Sequence, residues 1–84
     1  MSWNYRVVHS TSEDGSEEFF SIHEVYYNKG GGITAMTEDP CHPFGDTLDE
    51  FREDLKGMID ALEAPVLEEG KIEFQPKDGN GEDR

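Results

Sequence analysis

The hydrophobic pattern is clearest between residues 45 and 62. Large apolar residues recur there at helical intervals of three or four positions, with one adjacent pair, so they fall on one stripe of an α-helix. The stripe consists of Leu48, Phe51, Leu55, Met58, Ile59 and Leu62. We expect one amphipathic helix that lays this stripe across a small sheet, which requires Phe51, Leu55 and Ile59 to be buried.

Both ends of this helix are marked in the sequence. Thr47 and Glu50 form a capping box, in which the hydroxyl accepts a first-turn N–H and the carboxylate accepts the N–H of the cap residue. At the other end Ala64 precedes Pro65, and a residue before proline is pushed out of helical space. This pair is expected to end the helix.

Three earlier segments have the pattern of β-strands. Residues 3–9 alternate with the period of two of a half-buried strand. Residues 18–27 are the most aromatic and β-branched part of the chain, which suits a central strand. Residues 33–38 form a shorter third segment. Short turns separate the three, so we predict an antiparallel meander.

The alternation in the central strand is imperfect. One face carries Phe20, Ile22 and Tyr26 together with Glu24, and the opposite face mixes apolar residues with His23. Either a bulge shifts the register or both faces are partly covered, and the pattern is compatible with both. The predicted core consists of Ile22, Phe51, Leu55, Met58, Ile59 and Leu62.

The predicted fold is α+β in the order β-β-β-α-β. A three-stranded antiparallel meander is packed on one face by a single helix, and residues 66 and 67 add a short closing strand. Residues 1–67 form this domain. Residues 68–84 are an acidic C-terminal tail that we expect to be at least partly disordered. A weak alternation through Ile72 and Phe74 leaves a further edge strand or a partner-docking segment open.

Charge narrows the range of functions. The 84 residues include 20 acidic and 7 basic side chains, a net charge of −13. This argues against binding to nucleic-acid backbones and is equally compatible with a basic protein partner or with plain solubility. The chain has a single cysteine, no secretory signal and no apolar run of membrane-spanning length. We therefore expect a cytoplasmic protein of bacterial type that does not bind membranes.

No residue set has the pattern of a catalytic or metal site. Structural zinc takes four ligands at paired spacings, which the lone Cys41 does not offer. His23 and Glu24 are neighbours on a strand and point to opposite faces, so they cannot act on one substrate atom. We predict a non-enzymatic protein with no catalytic residues, no metal and no cofactor.

Exposed aromatic side chains are the candidate interface. If the helix covers one sheet face, some of the aromatic residues Trp3, Phe19, Tyr26 and Tyr27 must be exposed on the other, and exposed aromatic patches often mark protein interfaces. The alternative is that the C-terminal segment folds over them. The candidate partner-binding residues are Tyr26, Tyr27, Glu38, Asp39 and His42.

The crossing from the third strand into the helix resembles the HicB-like antitoxin fold. In that family an acidic, proline-containing turn leads into a G-D-[TS]-x-x-E helix start, which Gly45, Asp46, Thr47 and Glu50 match here. Residues 22–27 also look like a group of short, uncharacterised bacterial proteins with the same layout. The resemblance covers residues 5–67.

This resemblance implies a truncated ribonuclease-H-like module without the catalytic carboxylates, used to bind proteins. HicB-like antitoxins neutralise a small basic ribonuclease and usually add a DNA-binding domain, for which nothing after Leu67 is suited. We predict an acidic HicB-like antitoxin or adaptor that binds a protein, possesses no DNA-binding domain and does not bind nucleic acid. One alternative is a small-molecule-binding protein or enzyme that uses His23, Glu24, Asp39 and His42. Another is a homodimer formed by sheet edges.

Overall fold

The structure, a computed structural model, describes residues 2–77. Its elements in chain order are β1 (Ser2–Thr11), β2 (Glu18–Tyr27), β3 (Ile33–Met36), α1 (Leu48–Asp60) and β4 (Leu67–Glu68), with 3-10 turns at Ala61–Glu63 and Glu69–Lys71. The sheet has the order β3-β2-β1-β4. The α+β class and the predicted element order are present, and β4 pairs parallel to β1, which makes the sheet mixed.

The β1–β2 hairpin is regular over its whole length. Its antiparallel register runs without a break from the pair Ser2 and Tyr27 to the pair Thr11 and Glu18. A bulge occurs on the other side of β2, in its pairing with β3, between Tyr26 and Tyr27. Because directly opposed residues share a face, the register assigns Tyr5 and Glu24 to one face of the sheet.

The opposite face carries the most deeply buried side chains. Val8 and Val25 are fully buried there, and His23 is 5% exposed. The C-terminal segment covers this face: it begins at β4 beside β1 and ends with Gln75 N donating to Ile33 O at 2.6 Å, on the far edge of the sheet. Both faces of the central strand are therefore partly covered, which is one of the two explanations for its imperfect alternation, while Phe19 and Phe20 near its start remain 49% and 65% exposed.

The apolar stripe of α1 does not face the sheet, so the predicted core is wrong at most of its positions. Phe51 is 37% exposed, and exposure rises to 55% at Ile59 and 71% at Leu62. Leu55 is also exposed, at 38%, and Met58 is the stripe residue that is buried. Ile22 is half-buried. The buried apolar residues among those described are Val7, Val8, Val25, Met58 and Ala61.

The side chain of Tyr5 accounts for this orientation of the helix. Its hydroxyl donates to the carboxylate of Asp54, and its ring lies so close to Gly57 that an added Cβ there would be 3.3 Å from Tyr5 Cδ2. A buried hydroxyl needs a partner, and the absence of a side chain at residue 57 lets the ring approach the helix backbone. At 100° per residue, the sheet-facing side is therefore about a third of a turn away from the apolar stripe.

Thr47 is the N-cap of α1. Its hydroxyl accepts from the backbone N–H of Glu50 at 3.1 Å, as in a capping box. The carboxylate of Glu50 accepts from the N–H of Asp46 at 3.0 Å rather than from the cap residue itself. The cap therefore also fixes the connection that enters the helix.

Part of the segment assigned to the acidic tail is built into the domain. Glu68 belongs to β4, the turn Glu69–Lys71 follows it, and Ile72 is half-buried. Asn28 Nδ2 donates to the carbonyl oxygen of Pro76 at 3.2 Å, which holds the end of the crossing. The rest of the predicted tail, residues 78–84, lies outside the described residues.

Candidate functional site

The outer face of α1 is the largest run of exposed apolar side chains on one element. We call it the α1 stripe and define it by Leu48, Phe51, Leu55 and Ile59 of α1 together with Leu62 of the 3-10 turn that continues the helix; these residues are between 37% and 71% exposed. Single exposed apolar residues are normal, whereas a row of five on successive helical turns is a candidate interaction surface. Ion pairs of 3.4 Å between Arg52 and Asp49 and between Lys56 and Glu53 run beside it.

A second candidate site lies between the inner face of α1 and the sheet. It is an open groove of about 1170 Å³, which we call the α1–sheet groove. The lining residues that matter below are Trp3, Tyr5, Glu24, His42, Phe44 and Asp54.

The connection between β3 and α1 forms one side of this groove. Cys41 N donates to Ile22 O at 2.8 Å, so the chain continues along the edge of β2 after β3 has ended. Phe44 N then donates to Asp54 Oδ2 at 2.9 Å, which ties the connection to the helix. His42 and Phe44 are thereby brought to the groove although both are exposed.

Aromatic rings form the other side of the groove. The edge of one ring of the pair Trp3 and Tyr5 meets the face of the other, with centroids 5.2 Å apart and planes at 90°. Tyr5 is half-buried, whereas Trp3 is 51% exposed. The indole therefore offers free aromatic surface at the mouth of the groove.

Two of the carboxylates in the groove, Glu24 and Asp54, accept from neutral donors, whereas the lining residues Asp49 and Glu53 pair with Arg52 and Lys56. Asp54 accepts from the Tyr5 hydroxyl and the Phe44 N–H, and Glu24 accepts from the Tyr26 hydroxyl. Desolvation, followed by the hydrogen bond to Asp54, raises the pKa of Tyr5 well above its usual range. The hydrogen bond to Glu24 is the main cause that raises the pKa of Tyr26. Desolvation of Tyr5 and the carboxylate acceptor of Tyr26 both favour the neutral, protonated hydroxyl.

The structure does not bring together the four residues of the small-molecule hypothesis. Glu24 and His42 line the groove, but Asp39 is exposed outside its lining. His23 is buried on the opposite face, where its Nδ1 lies 2.9 Å from the carbonyl oxygen of Thr37 and its Nε2 lies 3.0 Å from Ser21 Oγ. These bonds occupy both ring nitrogens, so His23 has a structural position.

The predicted partner-binding residues do not form one patch. Tyr26 and Tyr27 point to opposite faces, and the Tyr27 hydroxyl donates to Asn4 Oδ1 at 2.7 Å. Glu38, Asp39 and His42 are exposed along the connection to α1. Of the five, His42 lies in the groove.

The contribution of Trp3, Tyr5 and Asp54 to the groove was not predicted. One sequence feature could have indicated the groove: Asp54, Gly57 and Ala61 place an acidic and two small residues at helical spacing on one side of the helix. Such a side is ordinarily assigned to solvent, and here it faces the sheet.

Within residues 2–77 no group of three or more His, Cys, Asp and Glu side chains is arranged to hold a metal ion. The helices of the same part of the chain are all too short or too polar to cross a membrane. No protein-family model, curated protein or solved structure matches the chain.

Proposed function

We propose that this protein is a non-enzymatic protein-binding module and that its partner docks on the α1 stripe. The observation that carries the proposal is the exposure of that stripe, since Leu48 and Ile59 are 63% and 55% exposed on a capped helix and Leu62 is 71% exposed in the 3-10 turn that follows it. A helix that presents apolar anchors at this spacing is typical of helix-in-groove recognition. The partner then supplies an apolar groove into which these side chains insert.

The partner is a basic protein. The chain carries a net charge of −13, so complementary fields accelerate its encounter with a basic surface and oppose contact between two copies of itself. Acidic residues flank the stripe on α1, at Asp49, Glu53 and Asp60, and in the 3-10 turn that follows it, at Glu63. Lysine or arginine side chains around the partner's apolar groove would meet this rim.

The HicB-like interpretation belongs to this proposal and makes the partner a small basic ribonuclease. It is supported by the element order and by the helix start at residues 45–50. The expected burial of the α1 stripe does not support this interpretation, because the stripe is exposed. An antitoxin or adaptor role therefore rests on charge, element order and the exposed helix together.

A small-molecule-binding protein is the second candidate, and the α1–sheet groove is the observation that favours it. Glu24 and His42 both line this groove. Chemical-shift perturbation in a ligand screen separates the two candidates. Shifts confined to groove residues on addition of a small molecule would favour the small-molecule-binding protein. Shifts along the outer face of α1 on addition of protein fractions would favour the protein-binding module.

The test compares the unaltered chain with a Leu55→Ser/Ile59→Ser double variant. Both residues are exposed, so the variant is expected to fold, and both belong to the stripe. The immobilised unaltered chain should retain a basic protein from its native cells at moderate salt, and the variant should not. Phe74→Ser is the matched control, because Phe74 is 53% exposed and lies on another segment.

Two results would contradict the proposal. One is retention of the same protein by the double variant. The other is a stable dimer of the isolated chain in sedimentation at moderate salt, provided that the double variant abolishes it. That result would mean that a second copy, rather than a basic partner, occupies the stripe.

A further inference from the structure

We propose that the α1–sheet groove binds an arginine side chain of a partner protein. The inference rests on the proposed function in one respect, that the ligand belongs to a protein. It adds a second contact beside the α1 stripe and names the residue type that occupies it. Three features of the groove support it: an exposed aromatic surface, two carboxylates that accept from neutral donors, and an open side.

The aromatic surface fits a planar cation. Trp3 lines the groove and keeps half of its surface exposed, while its contact with Tyr5 holds the rings at 90° with centroids 5.2 Å apart. A guanidinium group stacks on such a ring, gaining both cation–π attraction and flat contact. Tryptophan is the best of the aromatic residues for this interaction.

The carboxylates fit the hydrogen-bonding edge of the same group. Glu24 lies directly across the β1–β2 register from Tyr5, and Asp54 faces the same ring from the helix. Their donors are hydroxyl and amide groups, which leave the negative charges uncompensated. In the described part of the chain no lysine or arginine lines the groove, and the nearby Arg52 and Lys56 pair with Asp49 and Glu53 rather than with Glu24 or Asp54. A guanidinium, with five N–H donors in a fixed fork, supplies the missing positive charge and binds carboxylates in pairs.

An acidic cluster alone would not identify this ligand. The rings distinguish the groove from the acidic turn at residues 13–17, which has carboxylates but no aromatic residue. The groove is also open, so a side chain that projects from a protein surface can enter it while its backbone stays outside. A long, flat, cationic side chain satisfies all of these conditions.

The probe is N-acetyl-arginine methylamide, which mimics an arginine within a chain. Trp3 is the single tryptophan, so its fluorescence reports on this groove without labelling. We expect a saturable change with a dissociation constant in the millimolar range, as for a single side chain, together with amide shifts at Gly57 and Ala61. The citrulline analogue has the same shape without the charge, and it should not bind.

Matched variants locate the site. Glu24→Gln keeps an acceptor for the Tyr26 hydroxyl and removes one charge, and it should weaken probe binding about tenfold. Glu13→Gln makes the same charge change in the distant turn and should leave binding unchanged. Trp3→Leu, followed by amide shifts instead of fluorescence, should also weaken binding.

Several results would overturn the inference: equal binding of the citrulline analogue, no saturable change, or full binding by Glu24→Gln. Tighter binding of uncapped arginine than of the capped probe would assign the groove to a free amino acid. The Leu55→Ser/Ile59→Ser variant should bind the probe normally. The double variant therefore tests partner binding by the stripe, and probe binding tests the arginine site. Failure of one proposal can thus be distinguished from failure of the other.

Discussion

At the scale of single residues, Gly45 occupies a position that no other residue fits. A Cβ added there would overlap the backbone N of Phe51 and lie 2.7 Å from the carbonyl carbon of Glu50. These are backbone atoms of the capped first turn, which cannot move aside without opening the cap. We expect Gly45→Ala to lower the free energy of unfolding by about 1–3 kcal/mol, the usual cost of overpacking.

Gly70 is the matched control for this substitution. A Cβ on Gly70 meets nothing within 4 Å, so Gly70→Ala should change the free energy of unfolding by less than about 0.5 kcal/mol. Urea denaturation of both variants measures the difference. Equal stability of the two variants would show that the turn before α1 is not packed as described.

His9 makes the stability of the fold dependent on pH. Its Nδ1 lies 2.7 Å from Glu68 and its Nε2 lies 2.7 Å from Glu18, while its ring stacks on Phe20. Both nitrogens can donate only when the imidazole is protonated. The hydrogen bonds to Glu68 and then to Glu18 are the main causes that raise the pKa of His9 above its ordinary value of 6.5.

The direction of the pH effect follows from this shift. A group whose pKa is raised on folding stabilises the fold fully below its unfolded pKa, and the contribution disappears as the pH rises through the folded value. We therefore expect the urea midpoint to fall as the pH is raised from about 6 to about 9. His9→Gln should remove most of this dependence, whereas His42→Gln, at an exposed site, should retain it.

At the scale of elements, the position of each strand and of the helix followed from local patterns, but the rotation of the helix did not. The spacing in α1 shows that an apolar stripe exists, and it contains no information about which element faces the stripe. The rotation depends on individual contacts between distant residues, such as the hydrogen bond from the Tyr5 hydroxyl to Asp54. These two residues are 49 positions apart in the sequence, so a pattern within one segment cannot predict their contact.

The candidate site shows the same limit. Glu24 and His42 were singled out from the sequence and do line the groove, whereas His23, adjacent to Glu24, lies on the other face. Residues 69–76, which run from β4 to the edge of β3, have only a weak apolar pattern because Ile72 is the half-buried residue among them and the others are exposed. Long-range placement therefore decided both the groove and the covered face.

The orientation of α1 predicts unequal costs for substitutions along its length. Met58 is 4% exposed and packs against the sheet, so Met58→Ala should lower the free energy of unfolding by about 2 kcal/mol or more. Ile59 is 55% exposed, so Ile59→Ala should cost less than about 1 kcal/mol. Thermal or urea unfolding of the two variants provides the comparison, and the reverse order of costs would mean that the apolar stripe faces the sheet.

At the scale of the whole molecule, charge and exposed apolar surface oppose each other. A net charge of −13 keeps copies of the chain apart, while the α1 stripe favours their association. Salt screens the charge repulsion and leaves the apolar attraction, because the Debye length falls from about 10 Å at 0.1 M salt to about 3 Å at 1 M.

We expect the isolated chain to sediment as a monomer at 0.1 M salt and to self-associate weakly at 1 M, in a fast equilibrium that depends on protein concentration. The Leu55→Ser/Ile59→Ser variant should remain monomeric at both, and the Phe74→Ser control should behave as the unaltered chain. Association of the double variant at high salt would mean that another apolar surface associates, formed by the exposed Phe19 and Phe20 or by Phe44. That result would contradict the α1 stripe as the proposed docking surface.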